Sequence, residues 1–383
     1  MIIGYDGKRA FQNKTGLGNY SRSLVTILSA NFTENRYILF APKRTGLFDI
    51  DSIENIETRC PQTAFYKRFP ALWRRGGMIK EIKGAGVNIY HGLSNELPHG
   101  IKNTGVKTIV TIHDLIFERF PETYNFDERY THRWKIKRAC KIADAVIAIS
   151  KQTRDDLVNL YGIKAEKIFT CYQSCNPIFE KQILEKEKAA VKKKYQLPDK
   201  YFLFVSSITK RKNLLAVCRA LILLKDKTAI PLVIIGDGKK EKGIVKQAMK
   251  LNGIEDRLIF LNELPAAKES SFTTGEDFPA IYQQALGLVY PSIFEGFGLP
   301  VLEALWSGLP VICSNTSSLP EVAGDAALYF APDDFAMLAT HIMNIASNDA
   351  LVAALQAKGF RQAQKFTNEK YADDIMNIYK KTL

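Results

Sequence analysis

Two carboxylates stand eight positions apart in IFEGFGLPVLEALWSG, residues 293–308: Glu295 in a glycine-broken loop and Glu303 inside the helix that should follow. The preceding apolar run, ALGLVYPS, has the length of a central strand. Gly296 and Gly298 permit a tight turn, and Pro300 falls where a first helical turn accepts proline. EGFGLP therefore predicts a strand-to-helix corner. Its free backbone N–H groups and positive helix end attract phosphate. Carboxylates do not bind phosphate; they accept hydrogen bonds from hydroxyls. A ligand with phosphate in the middle and hydroxyls on both sides, such as a nucleotide sugar, would use the whole corner.

Other residues suited to chemistry fall at further strand ends. Lys210, Arg211 and Lys212 follow the run YFLFVSSI. Gly16 and Gly18 lie between the first strand and a helix; Ser21 stands where a dinucleotide fingerprint would have its third glycine. His113 closes KTIVTI with Asp114 beside it, so its imidazole could meet a sugar hydroxyl while Asp114 orients the ring. His91 and Asn95, in YHGLSNELP, are candidates for an acceptor side. Asp49-Ile-Asp51 is the sole D-x-D and sits in a polar stretch away from these loops, which reads as solvated backbone rather than a metal site. With arginine, lysine and helix amides available to offset phosphate charge, neither a metal nor a cofactor is expected.

The elements that must position these groups alternate. In the first half, strands are expected at 2–7, 36–42, 87–92, 107–114, 143–150 and 167–172, with helices at 17–30, about 126–142 and 151–161. The pattern restarts with strands at 201–208, 231–238, 257–263, 285–292, 309–315 and 326–332, and three helices close the chain. Such alternation, over 383 residues, predicts an α/β fold of two Rossmann-like, doubly wound parallel-sheet domains facing across a cleft. The expected division is 1–178, a connection at 179–200, 201–365, and a C-terminal helix at 366–383 packing back on the first domain.

Charge is unevenly shared. Residues 1–200 hold 34 Lys/Arg against 21 Asp/Glu, whereas 201–383 hold 19 of each. Much of the excess lies in 66–84 and 127–141, where basic residues alternate with aromatic and aliphatic ones. That mixture suits an anionic membrane surface. No nucleic-acid module accompanies it, so a nucleic-acid partner is not expected. No apolar run approaches a membrane span, no signal core opens the chain, and the scattered cysteines read as reduced thiols. A cytoplasmic protein, peripheral at the inner face of the cell membrane, is the expectation.

The motifs EGFGLPVLEAL with its E-x7-E spacing, ITKRKNL (208–214), TGLGNYSRSL (15–24) and TIHDL (111–115) occur in an order that resembles glycosyltransferase family 4. These are the retaining transferases of the glycosyltransferase-B fold, and the combination looks most like bacterial polysaccharide mannosyltransferases. The resemblance implies that Glu303 holds donor ribose, and that Glu295 meets hydroxyls of the transferred sugar beside the amides of Gly296, Phe297, Gly298 and Leu299. It implies that Arg211 and Lys212 take the diphosphate, that the Gly16–Gly18 loop closes on phosphate or acceptor, and that Leu261 and Asn262 in FLNELP lie where the base is read. The implied reaction moves a hexose from a nucleotide diphosphate sugar, GDP-mannose or a UDP-sugar, to a glycan or lipid-linked acceptor. A sugar-nucleotide epimerase of similar architecture, or a non-catalytic nucleotide- or glycan-binding protein, would use the same residues differently.

Overall fold

The computed structural model describes all residues, 1–383, in two compact units: Met1–Gln173 together with Asn368–Leu383, and Ser174–Thr367. The first unit is built on a seven-stranded sheet of order β3-β2-β1-β4-β5-β6-β7. Its strands are β1 Ile2–Asp6, β2 Arg36–Phe40, β3 Ile56–Arg59, β4 Ile89–Gly92, β5 Lys107–Ile112, β6 Ala145–Ala148 and β7 Ile168–Thr170. The second unit carries a six-stranded sheet of order β10-β9-β8-β11-β12-β13. Here the strands are β8 Phe202–Val205, β9 Leu232–Ile235, β10 Leu258–Phe260, β11 Gly287–Tyr290, β12 Val311–Ser314 and β13 Ala327–Phe330. Every pairing is parallel.

Central strands such as LVII (β9) and AVIA (β6) are buried at every position, the mark of a sheet covered on both faces. The edge strands are less covered, and β3, IETR, buries one residue, Ile56; its polar sequence hides it among the surrounding loop residues. In each sheet the chain order reverses once, between β1 and β4 and between β8 and β11. At such switch points the loops beyond neighbouring strand ends run to opposite faces and leave a crevice, the usual place for a ligand in this fold.

Two segments connect units in sequence but pack within one of them. The stretch 179–200, expected as a connection, belongs to the second unit; its helix Glu185–Tyr195 is tied there through Lys194 and Tyr195 to Asp277, at 2.9 and 2.6 Å. The terminal helix Asn368–Thr382 instead joins the first unit. Tyr371, Ile375, Met376 and Tyr379 enter the same buried cluster as Ile3, Tyr5 and Leu24.

Candidate active site

The reversal between β8 and β11 gathers a buried charge cluster in the second unit. After β8 the chain forms a short turn, Lys210–Lys212, and Asn213 adopts a left-handed conformation (φ 55°) before the helix Leu214–Leu223. After β11 the chain loops through 291–298 into the helix Leu299–Trp306. The two loops are sewn together by Ile293 N–H donating to the Arg211 carbonyl at 2.8 Å.

Glu295 sits at the seam, buried. Its Oε1 accepts from Lys212 Nζ at 2.5 Å, Ser292 Oγ at 2.5 Å and the Tyr290 hydroxyl at 3.1 Å; Oε2 lies 3.2 Å from Arg211. Burial pushes the Glu295 carboxyl up, but Lys212 and Arg211 outweigh it and hold the group below its ordinary value. Glu295 is therefore a carboxylate locked between two cations. Arg211 also donates to the Phe294 carbonyl.

Glu303 experiences the opposite balance. Half-buried on the following helix, it accepts one hydrogen bond, from the Tyr282 hydroxyl at 2.8 Å. No cation answers its burial, and its carboxyl is pushed up to about 7. The corner between the two glutamates depends on Gly298, whose φ of 117° is closed to ordinary side chains and where a Cβ would come within 2.8 Å of Leu319. Gly296, Phe297 and Gly298 are buried around this turn, and Leu299 opens the helix.

The bracing of this corner was not visible in its own motif. Ser318 Oγ donates to the carbonyls of Glu295 at 3.1 Å and Phe297 at 2.7 Å, and Ser317 Oγ accepts from Glu295 N–H at 2.9 Å. Both serines come from the loop beyond β12. The polar run SNTSS after an apolar strand was the available signal, together with Tyr290 and Ser292 at the end of β11. Leu261 is buried beyond β10; Asn262 is exposed, its Oδ1 accepting from Gly236 N–H at 2.6 Å, which ties the loops after β9 and β10.

In the first unit, Gly16 and Gly18 form the opening turn of the helix Gly16–Asn31 rather than a loop ahead of it. Gly16 is exposed with open space around it, whereas a Cβ at Gly18 would fall 1.8 Å from the Asn13 carbonyl oxygen. His113 is buried beyond β5. Its Nε2 donates to the Leu93 carbonyl at 2.8 Å, and the ring meets Tyr20 edge-on at 4.5 Å. Burial pulls its pKa down to about 4, so the ring is neutral, with Nδ1 as the acceptor. Asn95, at φ 62°, accepts from His113 N–H through Oδ1 at 3.2 Å, and Asp114 Oδ1 accepts from Ile116 N–H at 3.0 Å. Asn95 and Asp114 shape the strand end around His113.

His91 requires a correction. It was expected on the acceptor side, but it is wholly buried in the core of the first unit. Nδ1 is bonded to the Tyr379 hydroxyl at 2.7 Å and Nε2 to Thr111 Oγ1 at 2.8 Å, and Tyr379 continues to Tyr5 at 3.2 Å. Both ring nitrogens are used inside the protein, and burial holds its pKa near 3. Position along the strand explains the difference: His91 lies within β4, which is buried at every position, while His113 lies past the end of β5.

Two parallel sheets, each reversing once, with a carboxylate–cation seam beyond one reversal, define an α/β protein of the two-Rossmann-domain, glycosyltransferase-B fold. The description Glycosyltransferase Family 4 matches residues 15–176, and Glycosyl transferases group 1 matches 185–362. The chain is 30% identical over 387 residues to O-antigen chain mannosyltransferase B of Escherichia coli, covering 96% of each protein. It belongs to glycosyltransferase family 4. Among solved structures, a glycosyltransferase from Rickettsia africae is similar with a TM-score of 0.75 at 18% identity, over 100% of this chain and 98% of the other. Anabaena HepE in complex with UDP is similar with a TM-score of 0.73 at 14% identity, covering 99% of both.

Proposed function

We propose that this chain is a retaining mannosyltransferase that moves mannose from GDP-mannose to a glycan or lipid-linked acceptor in polysaccharide assembly of the O-antigen type. The observation that carries this reading is the Glu295–Lys212–Arg211 seam at the β8/β11 reversal, in a chain resembling the E. coli mannosyltransferase along nearly its full length. A diphosphate arriving there offers Arg211 and Lys212 a counter-charge and releases the Glu295 carboxylate to accept from sugar hydroxyls. Cations at the leaving diphosphate are worth most as charge grows on it. Glu303, with a single internal hydrogen-bond donor, has capacity left for ribose hydroxyls, and the amides of 296–299 for phosphate oxygens. In the retaining reaction the acceptor hydroxyl attacks from the face the diphosphate leaves, and the leaving phosphate takes its proton. No metal is assigned to the step.

Exposed Phe65, Phe69 and Leu72 beside Lys67 and Arg68, and exposed Phe126 on the basic helix Phe126–Ile142, favour docking of segments 66–84 and 127–141 on an anionic membrane from the cytoplasmic side. No helix is long and apolar enough to cross a membrane.

Incubation with GDP-mannose, UDP-glucose and UDP-galactose, with and without a lipid-linked oligosaccharide, tests the reading through nucleotide release and product mass. Acceptor-dependent release of GDP supports it. UDP release would move the donor to a UDP-sugar, an altered free sugar nucleotide without acceptor would make the protein an epimerase, and binding without turnover would make it a binding protein. Sedimentation with phosphatidylglycerol vesicles at low salt tests docking, and a chain left in the supernatant would refute it.

A further inference from the structure

The other reversal, between β1 and β4, opens into a cavity of about 540 Å³, within the size range of small-molecule sites. Asp6, the last residue of β1, and Tyr90 on β4 contribute to its lining. Arg74 reaches Asp6 through Nε at 2.9 and 3.1 Å and Glu96 at 2.6 Å, and Lys135 meets Glu96 at 2.6 Å. Beside these groups the Tyr90 hydroxyl is completely buried and has no hydrogen-bond partner. A buried hydroxyl left unsatisfied is uncommon and destabilising, and an oxygen of a bound ligand would satisfy it.

The rim is unbalanced in a second way. Arg75 and Arg138 line it without a carboxylate partner on either. Arg138 is fixed by donating to the carbonyls of Leu97 at 2.8 Å and Pro98 at 3.3 Å. Burial, then the nearness of Arg75, disfavours its charge; His99 is lowered by burial and then by both arginines. Cations brought together without a counter-charge form a site prepared for an anion. Trp134 lines the same cavity, its ring 5.8 Å from His99 and 5.9 Å from the Arg138 guanidinium, and it stays partly exposed. An accessible indole packs against the C–H side of a pyranose.

We propose that this cavity binds a phosphorylated saccharide: Asp6, Glu96 and Tyr90 meet ring hydroxyls, Trp134 covers the ring, and Arg75 and Arg138 take the phosphate. Identifying that saccharide with the acceptor rests on the transfer proposed above; the site itself does not. The phosphate belongs either to a soluble sugar phosphate or to a lipid headgroup.

The test is calorimetric titration of the full chain after saturation with GDP, so that the first step reports the donor site separately. α-Mannose 1-phosphate, methyl α-mannoside and inorganic phosphate are the soluble probes; vesicles containing phosphatidylinositol, whose headgroup is a phosphorylated polyol, are the lipid arm. Tight binding of mannose 1-phosphate, at least about tenfold above methyl mannoside, supports the site with a soluble source. Binding to these vesicles, with none of mannose 1-phosphate and at least about tenfold tighter than to phosphatidylglycerol vesicles of equal charge, supports the lipid source; equal binding to the two kinds of vesicle reports general docking and overturns the lipid source. Arg75→Gln with Arg138→Gln should weaken either about tenfold, with GDP affinity unchanged. Tyr90→Phe should weaken it severalfold while the melting temperature holds or rises, because the lost hydroxyl has no internal partner. Binding of inorganic phosphate alone, of neither phosphorylated probe, or equally by wild type and variants would overturn the inference. Absence of GDP binding in the first step would count against the donor reading instead.

Discussion

The two sheet reversals offer opposite arrangements of the same charges. Beyond β8 and β11, Arg211 and Lys212 close on Glu295 within one buried cluster. Beyond β1 and β4, Arg74 and Lys135 are engaged by Asp6 and Glu96, while Arg75 and Arg138 remain without a carboxylate beside an unsatisfied tyrosine. A ligand at the first place must displace an ion pair; a ligand at the second completes an unfinished one. Glu295 and Glu303 repeat the contrast on a smaller scale, the first held ionised by cations and the second driven toward its neutral form by burial. Runs of Lys and Arg that look alike in sequence thus differ in what they can still bind.

The largest effects should come from breaking the closed seam. Glu295→Gln keeps the side chain's shape and should lower transfer by at least about 100-fold in single-turnover assays. Glu295→Ala should also cost about 3–5 kcal/mol in denaturant unfolding, because two cations lose their buried partner. Near-normal turnover in Glu295→Gln would remove the seam from catalysis.

The glycine pair of the first unit should separate next. Gly18→Ala forces a Cβ into the Asn13 carbonyl and should destabilise by about 2–3 kcal/mol, whereas Gly16→Ala meets open space and should stay within about 0.5 kcal/mol in thermal melts. Equal effects would contradict the tight helix start. His91→Ala should lower stability by about 2 kcal/mol, by leaving a buried void and taking one of two partners from each of the Tyr379 and Thr111 hydroxyls, with the KM for acceptor unchanged. A raised KM at full stability would return His91 to the acceptor side.

The smallest effect concerns pH. The folded chain keeps the Glu303 proton up to about pH 7, while the unfolded chain releases it near 4.5. Between those values the folded state binds more protons, so this group's contribution to stability, complete below 4.5, is lost as pH rises through 7. Glu303→Gln should flatten that part of the ligand-free stability profile. It should also abolish a severalfold strengthening of nucleotide binding between pH 6 and 8, expected because hydroxyls donate best to the ionised carboxylate. A wild-type profile in the variant would place the titration elsewhere.

The fold was largely legible, and the reasons are local. Runs such as FLFV and LVII are apolar throughout and bounded by turn residues, so they read as covered strands; IETR, half polar at a sheet edge, gave no such signal. The E-x7-E corner was legible because glycine, proline and glutamate types each restrict what the backbone and side chain can do. The serines bracing it from beyond β12 and the pocket formed by two distant basic segments were not, because those contacts join residues far apart in the chain.

By itself the sequence determined the strand and helix alternation, the two-sheet architecture, and which residue types crowd the strand ends. Composition and periodicity act along the chain, and that is enough to set secondary structure and burial. Only the tertiary structure decided which of those charges neutralise one another, that His91 faces inward while His113 lies past the end of its strand, and that Tyr90 is left without a partner. Electrostatics and hydrogen bonding depend on distances of a few ångströms between remote residues, and those distances exist only once the sheets have formed.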